Sequence, residues 1–341
     1  MSKGIVIFFL IIPFLSSCSM KPLVKEGEPL YPIQVKGKYG YINGKGELVI
    51  EPVLIEGGQF SEGLACVEVD HRILYINNQG DVVIAPDCGT GSEFTEGLAA
   101  VSVGGKYGYI DHTGKFVIPP QFDFAFMFEE GYCWVKAHNK SYYIDKQGNP
   151  LVIKGYEIWS GPSDGLIAVR KKGKTGFADL NGNIVIEAKY DDIRNFREGL
   201  AGVKLGKYYG FIDKGDNVVI KPRFEEVGDF SEGLCNVKIS GNWGYINTNG
   251  DEVIPATFFN TEPFSEGFGM ITTGERLSQK HGYVDREGNI VIAAKYNPAE
   301  NFRNGLAYVA IKGKYYYIDK MGNVVWKQPE RESFWTDFFG Q

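Results

Sequence analysis

Six aspartates fall in register along the chain, Asp111, Asp145, Asp179, Asp213, Asp285 and Asp319, and carboxylates brought together in pairs are what glycoside hydrolysis requires. A second acidic column, Glu62, Glu96, Glu130, Glu198, Glu232 and Glu266, stands directly before a recurring glycine. The histidines are His71, His112, His138 and His281, and the cysteines are Cys18, Cys66, Cys88, Cys133 and Cys235; such side chains can ligate metals or act as nucleophiles. The pattern argues against each of these chemistries. An acid that returns at the same turn in nearly every copy of a repeat is accounted for by folding. A metal site needs converging ligands, whereas the four histidines occupy different slots. No two cysteines have CxxC spacing, and Cys66, Cys133 and Cys235 fill strand slots that sister copies fill with Ala or other residues, as small packing residues do. The sequence has no phosphate-cradling glycine motif, no nucleophile elbow and no HExxH. It predicts no enzyme, no cofactor and no bound metal.

The elements that carry these columns are repeats. Gly63, Gly97, Gly131, Gly165, Gly199, Gly233, Gly267 and Gly305 are separated by 34 residues six times and then by 38, the extra residues lying around 276–280. A ninth copy opens near Pro32 without this segment. Each copy reads as three strands. The first carries a buried column at Val67, Val101, Val135, Val169, Val203, Val237, Ile271 and Val309, alternating with polar residues such as Glu68, Lys136 and Lys204. The second carries an aromatic column, Tyr41, Tyr75, Tyr109, Tyr143, Phe177, Phe211, Tyr245, Tyr283 and Tyr317, each followed by an apolar residue, so both faces of that strand are covered. Before the aromatic stands Gly40, Gly108, Gly176, Gly210, Gly244 or Gly282, where a missing side chain admits a neighbouring backbone or ring. An Asp-x-x-Gly turn leads to a Val-Ile strand, which Pro52, Pro86, Pro120 and Pro222 terminate. No sustained helical period follows the first 20 residues.

Two surfaces could bind a partner. Lys38, Arg72, Lys106, Lys140, Lys174 and Lys314 recur at the first hairpin and would stack as a basic ladder able to meet an anionic face, or serve only as a solvated turn row. The slot of Cys66, Ala100, Trp134, Ala168, Gly202, Asn236, Met270 and Tyr308 varies and alternates with the valine column, which predicts the opposite face and makes Trp134 and Tyr308 exposed binding residues. The formal charge of −6 becomes −7 without Lys3, the lone charge of residues 1–17, and a mildly acidic chain excludes nucleic acid as a partner.

Residues 1–17 have the layout of a secretory signal, one lysine and an apolar run from Ile5 to Leu15 that is too short to span a bilayer. Leu15-Ser16-Ser17-Cys18 resembles a bacterial lipobox, which implies cleavage and acylation of Cys18. Residues 18–31 then read as a tether, and Ser19 favours the outer membrane.

The run Phe-Ser-Glu-Gly-Leu, then Trp-Gly-Tyr-Ile-Asn, a glycine turn, Val-Ile and Pro-x-Phe, seen most fully from Phe230 to Phe258, resembles the WG-repeat (KWG-repeat) family of bacterial proteins over residues 32–328. Departures are Leu74, Tyr142 and Tyr316 in the glycine slot and the early turn glycine of Lys214-Gly215-Asp216. The resemblance implies a repeat β scaffold with no general catalytic activity. The sequence thus predicts an all-β chain of nine tandem three-stranded antiparallel repeats in an open curved or superhelical array, with a tail at 329–341. A closed β-propeller is the alternative, disfavoured because blades usually hold four strands in roughly 40 residues or more. The function expected is a lipid-anchored envelope scaffold that binds protein or glycan and does no catalysis. A carbohydrate-active enzyme and a purely structural spacer are the alternatives.

Overall fold

The computed structural model describes residues 25, 27–274 and 278–330. Cys18, the signal segment, residues 276 and 277 of the insertion and the aromatic tail lie outside them. Among the described residues there are nine antiparallel sheets in chain order, here called blades 1 to 9, at 31–54, 56–84, 90–122, 124–145, 157–190, 192–224, 226–258, 260–296 and 306–327. The all-β repeat is as the sequence predicts. Six blades, however, have four strands. The added strand comes first, from the stretch read as a connection: Glu56–Ser61, Glu157–Ser163 and Glu226–Ser231 in full, and only the two residues Thr90–Gly91, Asp192–Ile193 or Asn260–Thr261 elsewhere.

Two tight reversals shape each blade. In the Glu-Gly turn both residues have positive φ, for example +51° at Glu62 and +82° at Gly63, the requirement of a type I′ hairpin. Glutamate is a poor choice for that conformation, and its carboxylate supplies the compensation by capping the same turn one blade on. Glu62 accepts from Gly97 N (3.0 Å), Glu96 from Gly131 N (2.8 Å), Glu198 from Gly233 N (2.9 Å), Glu232 from Gly267 N (2.9 Å) and Glu266 from Gly305 N (2.8 Å). The acidic column is therefore an inter-blade clasp. The aspartate column is an intra-turn one: Asp179 Oδ1 accepts from the backbone N–H of Asn181 (3.0 Å) and Asn183 (2.8 Å), and Asp213 does the same for Gly215 and Asn217 (2.9 Å each).

Those hydrogen bonds favour the charged form. The carboxyls of Asp111, Asp179, Asp213 and Asp285 are held below the usual carboxylate range, foremost by the side chains of Thr113, Asn183, Asn217 and Asn289, with turn N–H groups adding to them. A depressed folded-state pKa contributes stability above the unfolded value, near pH 4, and that contribution is lost as pH falls through the folded values. Thermal midpoints are thus expected to drop steeply below about pH 4. Because Asn43, Asn77 and Asn247 hold the same slot with the same bonds, a fourfold Asp→Asn variant at 111, 179, 213 and 285 should match the parent at pH 7 and lose less on acidification. Parallel acid limbs in melting curves of the two proteins would contradict this.

The tryptophan-glycine position is set by the last strand. In the six blades with glycine there, that strand is seven residues long and slips register across the glycine: Trp243 pairs Phe258 while Tyr245 pairs Ile254. A Cβ on Gly244 would lie 2.4 Å from Ile254 O and 2.6 Å from Ala256 N. Where Leu74 or Tyr316 replaces glycine the last strand shortens to Val82–Ile84 or Val324–Lys327, and at Tyr142 no such strand forms among the described residues. The departures change the hairpin locally, as their sequence implied.

Blades pack through one repeated contact. The aromatic column of one blade meets the Phe of the next blade's Phe-Ser-Glu-Gly turn edge to face, with centroids 5.1 Å apart for Tyr41–Phe60, 5.0 Å for Tyr75–Phe94, 4.7 Å for Phe177–Phe196 and 4.9 Å for Tyr245–Phe264. Each buried Tyr hydroxyl donates to a backbone carbonyl of that neighbour, Tyr41 to Gly58 (2.7 Å), Tyr109 to Phe126 (2.8 Å) and Tyr245 to Glu262 (2.7 Å). The ninth member of the column makes a related contact with the first blade, on the strand Tyr31–Val35: Tyr317 donates to Pro32 O (2.8 Å) and packs on Tyr31 at 5.5 Å, and Tyr31 donates to Asn304 O. Tyr31, Ile33, Ile42, Leu306 and Tyr317 form one core cluster. The array closes into a nine-bladed propeller, so of the two architectures considered the ring is the correct one. A count of three strands per copy favours the open form, and the fourth strand in six blades removes that argument. Of the residues expected in the tether, Tyr31 is buried in this junction and Leu30 in the core between blades 1 and 2.

Candidate binding sites at the axis of the ring

Side chains from blades two apart meet beside the Phe-Ser-Glu-Gly turns. Arg197 of blade 6 reaches Glu129 of blade 4 at 2.6 Å, which places these turns toward the axis, while the last strands lie at the perimeter. Arg197 and Glu129 stand where four other copies have a serine that bonds the next blade's backbone, as Ser231 does to Phe264 O (2.8 Å). Glu129 holds the Arg197 guanidinium above its usual pKa. Nearby Asp229 has an oxygen without a hydrogen-bond partner among the described residues, and burial pushes its carboxyl up against the pull of Arg197 and Arg194.

Blade 4 departs from its sisters at this axial strand. Slots that hold Glu56 and Gly58, Thr90 and Ser92, or Asp192 and Arg194 hold Phe124 and Phe126, and Met127 stands where others have Gln59, Glu93 or Asn195. Phe124, Phe126 and Met127 are 43%, 53% and 46% exposed. With half-buried Trp134 the two phenylalanines form a three-ring cluster, centroids 5.1, 5.5 and 6.1 Å apart. The next blade widens the cluster into a groove. Pro162 replaces the phenylalanine that elsewhere covers the aromatic column, so Tyr143 rests against Gly161 instead. The groove, about 700 Å³, is lined by Phe126, Met127, Trp134, Tyr143 and Pro162, with Glu129 and Asn195 among its polar residues. Exposed Trp159, on the strand that carries Gly161 and Pro162, lies under the Arg170 guanidinium, 4.4 Å from the ring.

The sequence-predicted residues are not all brought together. Trp134 joins the groove; Tyr308 lies about half a ring away, at the junction of blades 9 and 1. The slot they share is not a free face: Ala100, Ala168, Asn236 and Met270 are buried in it, because the next blade's first strand covers it, as when Asn236 Nδ2 donates to Thr261 O (3.0 Å). Half of the basic ladder is neutralised. Lys106 pairs with Asp123, Lys174 with Asp191 (2.5 Å) and Lys314 with Glu330 (2.6 Å), each within its own copy, while Lys38, Arg72 and Lys140 are exposed. Burial pushes the thiols of Cys66 and Cys133 up to about 12 and that of Cys88 to about 11, so they stay protonated and unreactive near neutrality. Phe124, Phe126 and Met127 escaped the sequence reading, although aromatic residues in slots that are polar in other copies were the available signal.

A family model described as "WG containing repeat" matches residues 39–70, 75–107, 107–140, 176–209, 209–243, 243–275 and 282–315, well over half of the chain. No curated protein matches the sequence. Similar solved structures include the dihydro-heme d1 dehydrogenase NirN, 11% identical with a TM-score of 0.46 over 92% of this chain and 76% of that one. Hsv2p of Kluyveromyces lactis is 9% identical, TM-score 0.42, over 70% and 96%. The extracellular domain of the putative one component system BT4673 of B. thetaiotaomicron is 8% identical, TM-score 0.28, over 89% and 55%. One of these is a dehydrogenase, which corrects the expectation that so regular a chain is no enzyme: columns committed to folding say nothing about the rest of a ring. At that identity no activity passes to this chain.

Proposed function

We propose that this chain, which belongs to the WG containing repeat family, is a binding ring held at the bacterial cell envelope by an acylated Cys18, and that it takes a protein partner in the aromatic groove of blades 4 and 5. The observation that carries this reading is the cluster of Phe124, Phe126, Met127 and Trp134, apolar and exposed in slots that sister copies mostly keep polar or small. Exposed aromatic rings and methionine are enriched at the centres of protein interfaces, and the acidic and amide groups at the groove's edge supply a polar rim. The lipobox-like Leu15-Ser16-Ser17-Cys18 supports the anchor, and the outer membrane is the compartment we assign.

Two measurements test it. A photo-crosslinking residue at Met127 in living cells should give one discrete protein adduct, and the double variant Phe126→Ser, Trp134→Ala should weaken binding of that protein by about 100-fold while leaving the melting temperature within a few degrees. Absence of any adduct, or an adduct indifferent to the double variant, would dismiss the groove. Cys18→Ser should move the protein from the membrane to the soluble fraction; a variant that stays with the membrane overturns the anchor.

A further inference from the structure

At seven of the junctions the first strand of one blade covers the variable slot of the blade before. The Cβ position of Gly91 lies 3.0 Å from Cys66 Sγ, and Val227 packs 2.8 Å from the Cβ position of Gly202. At the junction of blades 9 and 1 the described residues supply no such strand, since blade 1 begins its pairing at Tyr31. The result is a cavity of about 340 Å³ between residues 300–304, which lead into blade 9, and the first strand of blade 2. Lys25 does not enter it among the described contacts: its carbonyl accepts from Asn78 Nδ2 (2.8 Å), on a turn of blade 2.

The lining of this cavity is unlike the aromatic groove. Tyr308, held by stacking on Tyr315 (5.2 Å, 10° between planes) and by Tyr317 (4.9 Å), gives one wall. Gln59 stands on the first strand of blade 2 and Asn301 on the segment that leads into blade 9, and among the described residues neither side-chain amide has a hydrogen-bond partner. Glu300 and Arg303 contribute one charge of each sign. Primary amides donate and accept at once, as vicinal hydroxyls do; tyrosine rings pack against the C–H face of a sugar ring; and a balanced charge favours an uncharged ligand. The volume lies at the lower end for small-molecule sites, suited to one or two sugar rings.

We propose that this junction cavity binds a neutral mono- or disaccharide, with Asn301 and Gln59 hydrogen-bonding its hydroxyls and Tyr308 packing on its ring. This site is independent of the groove in blades 4 and 5. The test is calorimetric titration of the full chain with neutral hexoses, N-acetylhexosamines and their disaccharides. At least one should bind, Asn301→Ala and Tyr308→Ala should each weaken it about tenfold or more, and Phe126→Ser, Trp134→Ala should leave it unchanged. Asn301→Asp, which keeps the side chain's size and so the packing, should weaken binding too. Binding by none of these sugars, or binding that survives both Asn301 variants, overturns the proposal. So does binding that appears only when residues 19–24 are replaced by a Gly-Ser segment, for the cavity would then be the seat of the chain's own amino-terminal residues.

Discussion

Gly244→Ala is expected to destabilise the protein by about 3 kcal/mol, far more than an alanine at most other glycines of the chain. The reason is space. The added methyl would sit 2.4 Å from Ile254 O and 2.6 Å from Ala256 N, both backbone atoms of the seven-residue strand that bulges over the glycine, so no side chain can turn aside. Gly241, two residues from Trp243, is the control. Its φ of +83° makes alanine strained, but nothing lies within 4 Å, and the cost should stay near 1 kcal/mol. Urea denaturation of both variants separates the two causes, and hydrogen exchange should report opening along Glu252–Phe258 in the first alone. Equal losses for Gly241→Ala and Gly244→Ala would refute the steric account. The natural experiment points the same way, because the copies with Leu74, Tyr142 or Tyr316 in this slot are those whose last strand is short or missing.

Legibility in the sequence followed repetition. The aspartate, glutamate, aromatic and glycine columns each answer to a contact made in most blades, so comparison of the copies exposes them and ties the acids to turns and clasps. The first strand was illegible for a physical reason. In blades such as 3, 6 and 8 it pairs over only two residues, Thr90–Gly91, Asp192–Ile193 and Asn260–Thr261, too few to show a period, and what holds it is the preceding blade. Tyr75, for example, donates to Ser92 O at 2.9 Å. The groove was half legible: Trp134 stood out on its strand, whereas Phe124 and Phe126 sat in a stretch with no period to violate. Closure left still less trace, since it depends on the sum of small rotations between nine blades rather than on any one residue.

Closure has nonetheless a definite chemical point of attack. Tyr317 is 5% exposed, donates to Pro32 O and packs on Tyr31, Tyr308 and Trp326, so Tyr317→Ala removes a buried ring together with a buried hydrogen bond. The expected loss is about 3–5 kcal/mol. Its distribution distinguishes a ring from a row. In an open repeat array each copy leans only on its neighbours, and damage to the last copy stays at that end. In the ring, blades 9 and 1 are neighbours, so hydrogen exchange should accelerate at Tyr31–Val35 and Lys314–Asp319 together, although some 280 residues of chain separate them. Tyr283→Ala, the same substitution one blade earlier, should raise exchange in blades 8 and 9 and leave Tyr31–Val35 protected. A Tyr317→Ala protein whose first strand exchanges like the parent's would mean that the two ends are not joined in solution. The rest of the ring would then have to be stable with two frayed ends, an outcome its seven remaining aromatic junctions could support in part but the buried cluster around Tyr31 and Leu306 could not.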